Sequence, residues 1–208
     1  MIPPPERSAA RDAAILALLP NVPFDGWTWR ALRTGLVAAS GDERDAEILF
    51  PGGPPDMIEA FCDLADRRME AGAAQLSLGD MRTPARVRAV LELRLIQNRP
   101  YREAIRRAVA ALALPRRAQI AARCTARTVD AIWHAAGDRS ADFSWYTKRA
   151  ILVGVYSTTL LYWLRDTSED DAATLAFLDR RLAAVGRITR LRRRLSSVLP
   201  TGREQSPA

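Results

Sequence analysis

Apolar residues in this chain recur at spacings of three and four, and no stretch alternates β-branched with polar residues at period two. The first spacing gathers apolar side chains on one face of a helix, whereas a half-buried strand requires the second. The pattern therefore predicts an all-α fold. Proline and glycine set the breaks. Helices are expected over residues 5–19, closed by Pro20, and over 27–39, between the Pro23-Phe24-Asp25-Gly26 turn and Gly41. A short helix over 42–49 is broken by Pro51-Gly52-Gly53-Pro54. Further helices are expected over 55–76, 84–97, 101–112, 115–136 and 142–164, with prolines suited to first turns and Asp142 as a cap. Another starts at Ser168, and residues 187–199 continue as helix. The count is about nine, with no internal repeat.

Three short helices ahead of a larger bundle resemble the outline of a tetracycline-repressor-type protein. The expected organisation is a degenerate helix-turn-helix-like part over residues 1–50, a helical bundle over 51–186, and a basic tail over 187–208. With 208 residues and 48% hydrophobic content, the chain has apolar side chains enough for a real core. Cys62 and Cys124 lie far apart in sequence, so no disulfide framework is expected and a reducing compartment fits better. The opening residues lack the basic and apolar regions of a secretory signal. Residues 150–164 form the longest apolar stretch, but it is 15 residues long and contains Ser157, Thr158 and Thr159. A bilayer span needs about 20, so a soluble chain that meets membranes only at their surface is expected.

The net charge of +7 is unevenly placed. Residues 1–80 carry −6 and residues 81–208 carry +13, so an anionic partner would meet the C-terminal part. This distribution argues against DNA. Phosphates are held mainly by Lys and Arg, yet the segment at the recognition-helix position, Asp42-Glu43-Arg44-Asp45-Ala46-Glu47-Ile48-Leu49, holds four acids and one arginine. No Arg, Asn or Gln cluster is there to read base edges. The expectation is no nucleic acid, with a ligand-responsive transcriptional regulator as the alternative function.

No catalytic constellation emerges. The single histidine, His134, has no His or Cys at helical spacing to complete a metal face. Gly52-Gly53 lies between prolines rather than between a strand and a helix, which excludes a phosphate-binding loop. Neither cysteine has a histidine nearby in sequence to activate it. Glu169, Asp170 and Asp171 crowd a helix start, where they favour its dipole. Catalytic residues, metal and cofactors are all expected to be none.

Function is carried instead by the segment from Gly137 to Ala150. At 100° per residue, Asp142, Trp145, Tyr146 and Arg149 share one arc of a helix, a mix of types common at interface hot spots. The stripe runs on through Val153, Tyr156, Leu160, Trp163 and Leu164, and the opposite face is apolar too, so this helix is expected to be buried all round for most of its length. Asp142-Phe143-Ser144-Trp145-Tyr146-Thr147-Lys148-Arg149-Ala150, preceded by Asp130-x-x-Trp133-x-x-Ala136-Gly137-Asp138, resembles the signature of a ubiquinone-biosynthesis accessory family, the ninth protein of the eukaryotic coenzyme Q pathway. Phe24-Asp25-Gly26-Trp27-Thr28-Trp29-Arg30 and Leu49-Phe50-Pro51-Gly52-Gly53 are similar to that family as well, and the resemblance spans residues 10–186. It implies a repressor-like fold, a homodimer, and binding of an isoprenoid lipid or ubiquinone precursor. It further implies presentation of that precursor to the di-iron demethoxyubiquinone hydroxylase through Asp142, Trp145, Tyr146 and Arg149. Val153, Tyr156 and Leu160 are the candidates for lipid contact.

The tail adds a second feature. Ile188, Leu191, Leu195, Val198 and Leu199 fall on one face of a helix, with Arg190, Arg193 and Arg194 opposite and Arg187 and Arg192 flanking. Leucines backed by arginines suit an interfacial helix on an anionic membrane surface, and the resemblance implies the same. The link to the preceding helix is short, marked only by Gly186, and the tail contains no aromatic residue. The expected location is the cytoplasmic face of a bacterial inner membrane, or alternatively the matrix side of the mitochondrial inner membrane as a processed chain.

Overall fold

A computed structural model of the chain describes residues 2–138 and 144–198, the side chains of residue 144 and of residues 188–198 excepted. Among these residues there are ten α-helices, three short 3-10 turns and no strand. The N-terminal part comprises α1 (Ala9–Leu18), α2 (Val22–Asp25), α3 (Trp29–Ala38) and α4 (Asp45–Leu49). The bundle comprises α5 (Pro54–Ala73), α6 (Thr83–Asn98), α7 (Arg102–Leu112), α8 (Ala118–Ala135), α9 (Ser144–Trp163) and α10 (Ala172–Val198).

Capping places the helix starts later than periodicity alone. The Ser8 hydroxyl accepts from the Arg11 N–H at 3.1 Å, and the Thr28 hydroxyl accepts from the Ala31 N–H at 3.2 Å, so α1 and α3 begin at Ala9 and Trp29. The turn expected at 23–26 is a one-turn helix, α2, closed by Gly26 at φ +70°. The stretch expected as helix over 115–136 begins as a 3-10 turn, Pro115–Arg117, before α8. At the far end of α8 the N–H groups of Gly137 and Asp138 return to the carbonyls of His134 and Trp133, at 2.9 and 3.0 Å. This closure needs Gly137 at φ +78°, a position other residues adopt only with strain.

The N-terminal helices are fastened to α5 rather than standing free. At Gly35 of α3, an added Cβ would lie 2.3 Å from the Ala17 carbonyl oxygen, so only glycine lets α3 approach α1 so closely. Arg11 is buried, with its guanidinium over the Phe50 ring at 4.4 Å and paired with Asp56 at 2.5 Å. Trp27 lies against Phe61, ring centroids 5.5 Å apart, and its indole N–H donates to the Ala104 carbonyl at 2.9 Å. One apolar cluster thus joins α1 and α3 to α5, α7 and the end of α9. A second fills the other end of the bundle with Met69, Val90, Leu91, Ile132, Leu152, Tyr156 and Leu178.

Two departures concern α9 and α10. The inward line of α9 runs through Leu152, Val155, Tyr156, Thr159 and Trp163, all buried. Its outer face carries Ile151, Val153, Leu161 and Tyr162, each at least 37% exposed, so α9 is not buried all round as the sequence pattern suggested. Tyr162 stacks on Phe177 of α10, centroids 4.6 Å apart. The helix expected from Ser168 and the tail helix are one 27-residue helix that runs through Gly186 without a break. Its start is held by Asp166, whose carboxylate accepts from the N–H groups of Ser168 and Thr174 at 2.8 and 2.7 Å and from both hydroxyls. Burial pushes this carboxyl up, but the four donors outweigh it and hold its pKa at about 2. No helix among the described residues is long and apolar enough to cross a membrane.

Candidate functional site: an apolar cavity and an aromatic corner

Five helices, α5 to α9, enclose a cavity of about 310 Å³ whose walls are mostly apolar. Phe61 and Ala65 come from α5, Leu95 from α6, Ala108 and Leu112 from α7, and Tyr156, Leu160 and Trp163 from α9. The space exists because small residues, Ala65, Ala108 and Ala121, face it where larger ones would close it. No cluster of alternating large residues announces this from the sequence. The cavity becomes visible only once five helices are assembled.

One wall is polar and buried. Arg94 pairs with Asp66 at 2.6 Å, and the Arg94 guanidinium also donates to the Tyr156 hydroxyl at 3.3 Å and the Thr128 hydroxyl at 3.4 Å. Thr128 in turn donates to Asp66 at 3.1 Å. Burial pushes the Asp66 carboxyl up to about 6, with the Arg94 charge opposing that rise. Burial likewise raises the Tyr156 hydroxyl, so it stays protonated beside the guanidinium. Sequence reasoning missed this network. Asp66 and Arg94 lie 28 positions apart on α5 and α6, and no motif or spacing joins them.

The second locus is the corner between α8 and α9. Trp145 and Tyr146 meet edge to face at 4.8 Å, and the Arg149 guanidinium lies 3.8 Å from the Trp145 ring centroid. Arg149 also pairs with Asp130 on α8, while Lys148 pairs with Asp138 at 3.0 Å. The charged residues of the segment therefore clamp α9 to the end of α8, and Tyr146, 70% exposed, is the aromatic offered to solvent. Trp145 is half-buried. Asp142 lies outside the described residues.

Of the three residues expected at a lipid, Tyr156 and Leu160 line the cavity and Val153 does not. Val153 sits 100° beyond Leu152, a rotation that carries it from the inward line to the outer face. Of the residues expected at a membrane, Ile188, Leu191, Arg192, Arg193, Arg194 and Leu195 belong to α10, but their side chains lie outside the description, as does Leu199 altogether. His134 is exposed at the end of α8. Among the described residues no group of His, Cys, Asp and Glu is gathered as a metal site. Cys62 on α5 and Cys124 on α8, distant in sequence, both line the cavity.

The helical architecture is of the TetR type. The TetR transcriptional regulator from Nitrosomonas europaea ATCC 19718 superposes with a TM-score of 0.69 at 21% identity, covering 85% of this chain and 98% of that one, a likeness of fold. Residues 118–189, which hold α8, α9 and most of α10, match the model of the COQ9 family. The chain is 35% identical over 175 residues to the "Ubiquinone biosynthesis protein COQ9, mitochondrial" of Rattus norvegicus, covering 81% of this chain and 56% of the relative. The human protein of the same name is 34% identical, at 81% and 55% coverage. That of Schizosaccharomyces pombe is 33% identical, at 79% and 65%. Residues 118–189 are thus a COQ9 family region, and the likeness to these COQ9 proteins extends over about four-fifths of the chain. The chain spans a little over half the length of the first two of these relatives.

Proposed function

We propose that this protein is an accessory factor of ubiquinone biosynthesis that takes up an isoprenoid quinone precursor in its bundle cavity and presents it to the di-iron demethoxyubiquinone hydroxylase, without chemistry of its own. The observation that carries this reading is the apolar cavity behind Tyr156 and Leu160. Its 310 Å³ is at the lower end of ligand-binding volumes, room for part of a long amphiphile whose remainder would extend beyond the mouth. Burial of hydrocarbon there contributes about 0.8 kcal/mol per methylene. The relatives' names supply the pathway and a mitochondrial setting, in keeping with the mitochondrial alternative, for which the matrix side of the inner membrane is the proposed location. The basic C-terminal part of α10 is the segment proposed to meet anionic headgroups. The exposed apolar face of α9 supports a homodimer, with a second copy covering Leu161 and Tyr162.

The repressor alternative is supported less well. The helix at the recognition position, α4, has five residues, begins with Asp45 and Glu47, and ties the nearby Arg33 to Glu47. A surface of that charge is repelled by phosphates.

Protein purified without lipid supplements is expected to release an isoprenoid quinone or its precursor into organic solvent, identified by mass spectrometry. Recovery of bulk phospholipid alone, or of nothing, overturns the carrier reading. For the partner surface, Tyr146→Lys is expected to weaken association with the hydroxylase at least tenfold, as loss of an interface hot spot does, with helical content by circular dichroism unchanged. Undiminished association would remove Tyr146 from that surface.

A further inference from the structure

Cys62 and Cys124 sit in a setting that neither their packing nor lipid uptake requires. They come from α5 and α8, a closely packed helix pair, and meet side by side in the cavity wall. The two thiols interact directly, and the Arg127 guanidinium approaches the Cys124 sulfur at 3.8 Å. Arg127 is fixed in place by Glu59, paired at 2.8 Å, which also holds Arg123 at 3.0 Å. Cys124 thus has a thiol and a guanidinium beside it, partners that favour a thiolate. Interaction with Cys62 draws the Cys124 thiol down, against the effect of burial, and the same interaction together with burial pushes Cys62 well up.

We propose that Cys62 and Cys124 are a dithiol modification site that a small hydroperoxide, reaching them through the cavity, converts to an intrachain disulfide linking α5 to α8. In the first step the Cys124 sulfur attacks the nearer peroxide oxygen. The O–O bond breaks, Cys124 becomes a sulfenic acid, and the leaving alkoxide or hydroxide takes the thiol proton. In the second step the Cys62 sulfur attacks the Cys124 sulfur, the S–S bond forms, and hydroxide leaves to collect the Cys62 proton as water. Two thiols are oxidised by two electrons, and one peroxide is reduced to water and an alcohol or a second water. The site does not depend on what the cavity carries. The bond would tie together two helices that line the cavity, so its closure coincides with a change at the wall any ligand touches.

The test uses the full chain, fully reduced, treated with equimolar hydrogen peroxide and then with an alkylating agent under denaturing conditions. The expected product is a monomer lighter by two hydrogens that takes up no alkyl group, with a Cys62–Cys124 cross-link in the non-reducing peptide map. In Cys62→Ser the second step is blocked, and dimedone is expected to label Cys124 as its sulfenic acid. In Cys124→Ser labelling of Cys62 should be at least tenfold less. Cys62→Ala and Cys124→Ala repeat the comparison should either serine variant lose helical content. Two alkylatable thiols after peroxide, dimers linked between chains, or oxidation without the cross-link each overturn the site. Equal labelling of the two single variants overturns the assignment of Cys124 as the attacking sulfur.

Discussion

Replacing Arg94 by Met is expected to lower the unfolding free energy by about 3–5 kcal/mol, the range seen when one partner is removed from a buried ion pair. Met keeps the unbranched apolar stem and removes the guanidinium, so the loss is mainly electrostatic. Asp66 would stand in an apolar wall with only Thr128 as a donor, and Tyr156 would lose the guanidinium that meets its hydroxyl. Asp66 already shows what burial does to it, held at about 6 with Arg94 opposing the rise. A carboxyl whose folded pKa is raised contributes stability below its unfolded value, about 4, and loses that contribution as pH rises through the folded one. In the wild type this loss falls between about 4 and about 6. In Arg94→Met the upper edge moves higher, because the opposing charge is gone. Urea midpoints collected across pH for both proteins check this, and the double variant Asp66→Leu/Arg94→Met should recover most of the single variant's loss. A single variant within 1 kcal/mol of wild type at neutral pH, on the order of ordinary surface changes, would mean the pair is not needed to hold the wall.

The same pair marks the limit of what could be read before the fold. Helix type was legible almost everywhere, because spacings of three and four and well-placed prolines state it locally. Helix starts were legible to within a residue where a proline marks them, as at Pro54 and Pro84. The helix expected from Ser168 instead begins at Ala172 after a 3-10 turn, its first N–H groups held by Ser168 and Asp166. That helix continues past residue 187 was legible, but not that Gly186 joins the two parts without a break, since a lone glycine in a helical pattern is equally a break or a tolerated residue. The exposed face of α9 was missed for a related reason. A helix apolar on all sides reads as fully buried, but an outward apolar face is equally suited to another chain.

The site divides in the same way. The segment around Trp145 stood out by composition, yet in the structure Arg149 pairs with Asp130 on α8 and Lys148 with Asp138 just beyond its end. Tyr146 alone among the described aromatics of that corner projects into solvent. Val153, Tyr156 and Leu160 came from one stripe, and the structure sets Tyr156 and Leu160 in the cavity wall and Val153 on the outer face. Neither the Arg94–Asp66 network nor the meeting of Cys62 with Cys124 has any local signature. Both arise where separate helices converge, which is the information a single periodicity does not hold.

A substitution that fills the cavity separates uptake from folding. Ala108 is buried on α7 and faces the cavity. Ala108→Phe is expected to place its ring in the empty space, where it gains apolar contacts, so the thermal midpoint should hold or rise. The ring occupies volume that ligand hydrocarbon would otherwise fill. Displacing about four or five methylenes removes about 3–4 kcal/mol of binding, a fall of some hundredfold or more. The measurement is the amount of isoprenoid lipid extracted per mole of purified variant, with the midpoint recorded on the same preparation. A stable variant emptied of lipid is the expected pair of results. A stable variant that retains its lipid would place the ligand elsewhere, and the exposed apolar face of α9 would then be the surface to examine. A variant that loses both lipid and midpoint says only that the ring does not fit, and Ala65→Leu, a smaller filling from α5, repeats the comparison.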